Sequence, residues 1–323
     1  MEKISQNQLW EILLELRKLV ALQKKKAQSY SILFIKGKCR VLEGIIKGDG
    51  DQKSIIISRN TFVNELCDSV CFMLDNNNTI SQAGDSFLDD ESTNFIKQYL
   101  PFCFCSDLAN ERNRSYTILH MAQSVDGKIA TESGNSKWVS NQENLIHSHR
   151  LRALCDAILI GKNTLNCDSP MLNVRHVIGP NPVRVVIANT PCNFDNLKKS
   201  EGKIILFTSR KSSPVEGVEI ITIPDISGFI LSELILKELY KRNIYSLYIE
   251  GGAITASQFL KEHSIDKVQL FISPKIFGSG INSFQLPIIE TVEKSVCFSN
   301  SSFIPMGNGV LFEGNIAYKE TGK

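Results

Sequence analysis

Four clusters of residues carry side chains suited to holding a charged small molecule. The first is Asp126-Gly127-Lys128, a polar turn after the apolar run at 116–121. The second joins Ser136-Lys137-Trp138 to His149-Arg150-Leu151-Arg152. The third, Asp168-Ser169-Pro170-Met171-Leu172-Asn173-Val174-Arg175, is a loop stiffened by proline and closed by a guanidinium. The fourth, Glu250-Gly251-Gly252-Ala253, leaves an apolar run and opens a helical pattern. Arginine offers paired N–H donors that match phosphate, which suits Arg175. Glycines let a diphosphate approach the backbone, and free amides at a helix start then hold its charge. Two glycines fall short of the full dinucleotide fingerprint, so a tight structural turn competes with that reading. A turn lysine in solvent would equally account for Lys128, a solvated loop arginine for Arg175 and core packing for Trp138. Arg150 and Arg152 point to different sides of a helix, so only one can face a cleft.

The surrounding pattern alternates strand and helix, which implies an α/β fold. Strands are expected at 116–121, 156–160, 183–188, 203–207, 218–222, 245–249, 267–272 and 308–313, and helices at 141–154, 230–242 and 253–262. Ser140 and Glu143 have capping-box spacing for the first of these helices. Open α/β sheets bind ligands beyond their strand ends, where these clusters fall. Thr208-Ser209-Arg210-Lys211 also follows a strand, and its hydroxyls and cations suit a ribose 2′-phosphate.

Upstream, residues 5–27 read as one helix with Ser5 as N-cap and an apolar stripe of Leu9, Ile12, Leu13, Leu16, Leu19 and Leu22. Lys24-Lys25-Lys26 falls in its last turn, where positive charge favours the helix dipole. Short strands at 31–35 and 54–58, helices at 60–74 and 90–99, and a charged linker at 110–114 follow. Cys67 and Cys71, four apart, would share a buried helix face. The boundary is placed at 112, giving an N-terminal α+β module over 1–112 and a second domain over 113–323.

The chain has 323 residues and a formal net charge of +2, a balance that argues against a general nucleic-acid or membrane-surface role. No apolar run approaches the roughly 20 residues needed to span a bilayer, and the N-terminus lacks a signal peptide's apolar core. Nine scattered cysteines suit reduced thiols in a cytoplasmic protein better than a disulfide framework. No metal site is expected.

Taken together and in order, these motifs resemble the pyrimidine reductase domain of riboflavin biosynthesis, a member of the dihydrofolate-reductase-like superfamily. The likeness covers roughly residues 114–316 and includes Asp266 to Gly278 downstream. It implies a mixed, mostly parallel sheet flanked by helices, and NADPH as cofactor. Cofactor contacts carry over to Ala122, Trp138, Thr164, Asp168, Asn189, Gly252, Ala253, Ile254, Thr255 and Ala256. Substrate contacts carry over to Ser136, Arg152, Leu172, Arg175 and Glu250, with Lys128 and Glu250 on the reacting side of the cleft. Ser169 departs from the family, which usually has a second acid or amide there. A homodimer is implied as well.

In many relatives of this family a zinc-dependent pyrimidine deaminase precedes the reductase. Such a site needs a His- or Cys-x-Glu motif and Pro-Cys-x-x-Cys. This chain has no histidine before His120 and no Pro-Cys-x-x-Cys, so the N-terminal module is not expected to be a working zinc deaminase. The function implied is NADPH-dependent reduction of the ribosyl group of a 5-phosphoribosylamino-pyrimidine to the ribityl form. The ring could be the aminouracil or its diamino equivalent. Two alternatives stand beside it: a related reductase of another heterocycle or imine, and a non-catalytic nucleotide-binding or regulatory protein.

Overall fold

The computed structural model describes residues 4–22, 28–35, 38–46, 53–59, 69–76, 78–83, 87–226 and 229–318. The chain divides into two compact units, Met1–Arg112 and Asn113–Lys323.

The N-terminal unit opens with α1 (Gln6–Leu22). Gln8 N–H donates to Ser5 Oγ at 3.3 Å and Ser5 N–H to Gln8 Oε1 at 2.9 Å, a reciprocal capping box. The buried face is Leu9, Trp10, Ile12, Leu13, Leu16 and Val20, which leaves Leu22 in solvent. Five strands follow: β1 (Ser29–Ile35), β2 (Lys38–Glu43), β3 (Lys53–Arg59), β4 (Ser69–Leu74) and β5 (Ile80–Ala83). They pair in the order β2-β1-β3-β4-β5, and only β3 and β4 run parallel. Next come α2 (Asp90–Tyr99), capped by Asp89, and α3 (Cys105–Arg112).

Two expectations fail in this unit. The stretch 69–74 is a strand, not the end of a helix, and it is buried almost throughout. A short, continuously apolar run carries no periodicity to separate the two forms. Cys71 is buried on that strand, while Cys67, residues 60–68 and Lys24–Lys26 lie outside the described residues. Of the linker expected at 110–114, residues 110–112 are the last turn of α3.

The second unit holds β6 (Tyr116–Ser124), β7 (Lys128–Thr131), α4 (Gln142–Leu154), β8 (Ala157–Gly161), α5 (Lys162–Asp168), β9 (Val183–Ile187), α6 (Asp195–Lys198), β10 (Ile204–Thr208) and β11 (Glu219–Thr222). It continues with β12 (Asp225–Ile226), β13 (Phe229–Ile230), α7 (Ser232–Lys241), β14 (Ser246–Glu250), α8 (Ala253–Lys261), β15 (Lys267–Ser273), β16 (Gly280–Asn282), β17 (Cys297–Met306) and β18 (Gly309–Ala317). Nine strands form one sheet in the order β11-β10-β9-β8-β14-β6-β15-β18-β17. It is parallel from β11 to β15, and β18 and β17 add an antiparallel edge. The mixed, mostly parallel sheet is therefore as expected.

The central strands are apolar on both faces, as a sheet covered by helices requires. Leu119, Leu159, Val185, Leu247 and Ile249 pack with Leu236 and Leu239 of α7 and with Phe259 and Leu260 of α8. The cap of α4 is Asn141, one residue later than expected. Its Oδ1 accepts from Asn144 N–H at 2.8 Å while its Nδ2 donates to Met306 O at 2.8 Å. The helix start is thus tied to the β17–β18 hairpin. The short α5 has no side-chain cap, so nothing in its sequence announced it.

Asp266 closes the bottom of the sheet. It accepts from both arms of Arg114 at 2.9 and 2.8 Å and from Thr117 N–H at 2.8 Å. Both side chains of the pair are largely buried. Removing one partner of a buried pair strands the other. Asp266→Ala is expected to lower unfolding free energy by about 3 kcal/mol in a urea titration.

Candidate active site

A cavity of about 780 Å³ lies in the second unit at the carboxyl ends of β6, β8, β9 and β14. One wall is built to receive a chain of phosphates. Gly251 and Gly252 follow β14 with φ of 82° and 83°, a region closed to most side chains. They turn the chain into α8, whose first amides face the cavity wall at Ala253, Ile254 and Thr255. A Cβ at Gly252 would stand 3.0 Å from Thr164 Oγ1, and one at Gly161 would collide with Thr255 Oγ1. The backbones of β8 and α8 therefore meet over a cradle rimmed by Thr164 and Thr255. That donor set fits a dinucleotide diphosphate.

Beside the cradle is Glu250, held by Arg152 from α4. Arg152 Nε donates to Oε2 at 2.8 Å and NH2 to Oε1 at 2.5 Å, a two-pronged pair. Arg152 NH1 donates to Asn173 O at 3.0 Å, which anchors the loop after α5. Burial works against the charge on Arg152, but Glu250 outweighs it and raises the guanidinium's pKa. Asp168, at the end of α5, has its carboxyl pKa raised, first by burial and then by Glu250. The loop that follows is strained: Ser169 and Leu172 take φ of 41° and 53°, and Leu172 is buried against the cavity. Asn196 Nδ2 holds the first of these turns by donating to Ser169 O at 2.7 Å.

The cavity wall brings together most of the residues picked from the sequence: Ala122, Ser136, Arg152, Thr164, Asp168, Leu172, Asn189, Glu250, Gly252, Ala253, Ile254 and Thr255. Four others stand elsewhere. Lys128 gives its amine to Asn282 across the β7–β16 ribbon. Trp138 has φ of 69° and is 82% exposed, so it is neither core nor wall. Ala256 faces the sheet core. Arg175 is exposed outside the wall, with its N–H donating to His149 Nδ1 at 3.1 Å and its NH1 to Asn173 Oδ1 at 3.1 Å. It still lies within electrostatic reach of Arg152 and Glu250. Arg152 itself is spent on Glu250, so it serves as a positioning group more than as an open grip.

Asn189 uses its Oδ1 to accept from Ser209 N–H at 2.8 Å, locking the ends of β9 and β10. Ser209 Oγ in turn donates to Asp225 Oδ2 at 2.9 Å, and Arg210 stands 3.8 Å from the same oxygen. A carboxylate thus shares the strand end whose hydroxyls and cations the sequence read as suited to a ribose 2′-phosphate.

Sequence reasoning missed the cavity's inner end. His120, Asn144 and Tyr248 line it, along with Ser140 and Ser148. Each resembles an ordinary core or helix residue in the sequence, and only the pairing of β6 with β14, which sets His120 beside Glu250, brings them together. Behind them His147 Nε2 and Gln269 Oε1 are 3.1 Å apart, and Gln269 Nε2 donates to Glu313 at 2.9 Å.

A family model described as the RibD C-terminal domain matches residues 115–312. The riboflavin biosynthesis protein RibD of Aquifex aeolicus is 36% identical over 194 residues, which is 57% of this chain and 53% of that protein. The chain thus spans about half the length of that relative. The 2,5-diamino-6-ribosylamino-4(3H)-pyrimidinone 5′-phosphate reductase of Methanothermobacter thermautotrophicus is 35% identical over 175 residues, 51% of this chain and 80% of that protein. Among solved structures, Acinetobacter baumannii RibD aligns with a TM-score of 0.63 and 17% identity, covering 97% of this chain and 99% of that one. The Thermotoga maritima diaminohydroxyphosphoribosylaminopyrimidine deaminase/5-amino-6-(5-phosphoribosylamino)uracil reductase aligns at 0.60 with 19% identity, covering 96% of this chain and 100% of that one. Such coverage takes in the N-terminal unit, so the likeness in fold is not confined to the second unit.

Two outcomes follow from this geometry. Gly161→Ala is expected to weaken binding of a reduced dinucleotide about tenfold, read by fluorescence titration, because its methyl pushes Thr255 into the cradle. The second concerns buried histidines. Burial, then Arg152, pushes His149 down from 6.5 to about 3, and burial brings His147 to about 4. Folded, both stay neutral, whereas the unfolded chain takes up protons below its higher pKa. Stability is therefore full above pH 6.5 and falls as pH drops from there toward 4, by roughly 1.4 kcal/mol per pH unit for each histidine. Urea midpoints at pH 7.5, 6 and 5 check this, and His147→Gln should flatten the profile.

Proposed function

The chain belongs to the RibD C-terminal domain family, and from that membership we propose that it is an NADPH-dependent reductase of riboflavin biosynthesis. Its substrate is a 5-phosphoribosylamino-pyrimidine, whose ribosyl group it reduces to ribityl. The observation that carries this reading is a single cavity holding both a glycine cradle at the start of α8 and a carboxylate, Glu250, fixed by Arg152. When bound, NADPH supplies a hydride. Gly161, Thr164, Gly252 and the first amides of α8 hold its diphosphate, with Ala122, Asp168 and Asn189 along the same wall.

The protein's own groups then align the acceptor. Glu250 accepts N–H groups of the ring or opened sugar, and Arg152 keeps its two oxygens from rotating. Leu172 packs against the ring. Arg175 and Ser136 receive the 5′-phosphate at the mouth. Burial, and then Arg152, lowers the pKa of Arg175, a repulsion that a dianion relieves. Burial, and then Glu250, raises the pKa of the Asp168 carboxyl, which makes it the group proposed to pass a proton to the reduced nitrogen. Lys128 flanks the site from the β7–β16 ribbon, and Trp138 meets a ligand only if the ligand covers it. Ala256 acts through packing of α8.

The N-terminal unit contributes no deaminase chemistry in this reading, since the chain offers no histidine before His120 and no Pro-Cys-x-x-Cys. The same proposal includes a cytoplasmic homodimer joined through the long edge strand β17, where Phe303 is exposed. Among the described residues no helix is long and apolar enough to cross a membrane.

The test is an NADPH-oxidation assay with the aminouracil and diaminopyrimidinone ribosyl 5′-phosphates. Arg175→Ala should raise KM about tenfold or more with kcat within about threefold, and should add nothing once the substrate lacks its phosphate. If the wild type ignores the phosphate, a different heterocycle is the substrate. Tight NADPH binding with no oxidation would instead mark a nucleotide-binding protein.

A further inference from the structure

Beyond the glycine cradle the row of strand ends continues. Gly161 of β8, Ile187 of β9 and Phe207 of β10 are register partners, so the ends of β9 and β10 lie one and two strands from the cradle. Two strand spacings are roughly 10 Å. Glu250 and Ala122 take up the opposite side of the cavity, on β14 and β6. A dinucleotide with its diphosphate in the cradle and its reactive ring toward Glu250 therefore sends its adenosine half toward β9 and β10. The adenosine ribose is bonded directly to the diphosphate, so its 2′ position falls within that span.

Asp225 stands at this end, with cavity residues on two sides. It accepts from Ser209 Oγ at 2.9 Å, and Ser209 N–H donates to the cavity residue Asn189 at 2.8 Å. Its strand partner across β12 and β13 is Ile230, which also lines the cavity. Most of the polar groups at the end of β10 are spent within the turn. Thr208 is buried and accepts from Arg210 N–H at 3.2 Å, and both donors of Ser209 are engaged as above.

What faces outward is charge of both signs. The Arg210 side chain is 66% exposed and that of Asp225 24%. Arg210 NH2 stands 3.8 Å from Asp225 Oδ2, beyond hydrogen-bond distance. Such an exposed, loosely held pair gains little, so a ligand can take either partner. The two partners want different ligands. A carboxylate accepts from a ribose 2′-hydroxyl and repels a 2′-phosphate, while a guanidinium grips the phosphate through paired N–H donors. Arginine alone would select the phosphate, and the carboxylate alone would reject it.

We propose that Asp225 and Arg210 together read the 2′ position of the dinucleotide, and that the pair admits NADH as well as NADPH. With NADH, Asp225 accepts from the 2′-hydroxyl. With NADPH, Arg210 turns to the 2′-phosphate, and the carboxylate beside it offsets part of that gain. Asp225 sets the balance because Ser209 fixes its place, whereas Arg210 extends into solvent. The inference rests on the dinucleotide reading of the cradle above and goes beyond it in naming which nucleotides the site admits.

Fluorescence titration of the full chain with NADH and with NADPH, in the absence of substrate, provides the test. Wild type should bind the two within about tenfold of each other. Asp225→Asn removes the charge and keeps the shape, and should move the ratio of Kd values about tenfold toward NADPH. Arg210→Ala should move it about tenfold toward NADH. This second change alters a largely exposed side chain, so it tests the pair even where Asp225→Asn disturbs the turn. In turnover, the ratio of kcat/KM values for the two nucleotides should shift in the same sense in each variant. A wild-type gap wider than about tenfold, or a folded variant that moves the ratio less than about threefold or the wrong way, would overturn the inference. Binding of neither nucleotide by the wild type would instead overturn the dinucleotide reading.

Discussion

The pairing of Arg152 with Glu250 is the contact on which the site depends. It joins the last turn of α4 to the end of β14 and, through Asn173 O, to the loop beyond α5. Three separate segments of the chain thereby converge on one carboxylate. Arg152 is buried and Glu250 half-buried, and such pairs add little net stability, because removing charge from water offsets their attraction. Their value lies in direction: a two-pronged guanidinium leaves Glu250 one orientation, and the ligand meets a carboxylate that does not need to reorganise.

Strain gathers around the same cavity. Gly251 and Gly252 occupy left-handed backbone, and Ser169 and Leu172 do so without being glycine. Each such non-glycine residue costs on the order of 1 kcal/mol or more. The sheet beneath can sustain this because one face of its central strands is sealed by α7 and α8 together. Anchors outside the cavity also help. Arg184, fully buried on β9, donates to Leu197 O at 2.8 Å and Ser200 O at 2.9 Å, and so pins the loop after α6 with no carboxylate in play. Asp156 accepts from the N–H groups of Tyr245 and Ser246 at 2.9 Å each, which joins β8 to the start of β14.

The cavity wall combines charged and neutral groups. Arg152 and Glu250 line it, with Arg175 just outside, and His120, Asn144 and Tyr248 line it as nearly fully buried groups. Buried imidazoles stay uncharged because ionising them without water or a carboxylate in contact is unfavourable.

By itself the sequence determined the strand–helix alternation of the second unit, the glycine turn before α8 and the motif residues Asp168, Leu172 and Glu250. These are local signals: apolar period, glycine at a turn, proline in a loop. It misread 69–74, where a buried strand has no period to betray it, and missed α5, which has no cap. Only the tertiary structure decided that Arg152 is committed to Glu250, that Trp138 stands in solvent, and that His120 and Asn144 line the same cavity. Those facts depend on which strands pair and where α4 lies across them. Contacts between residues far apart in the chain leave no mark on the spacing of either.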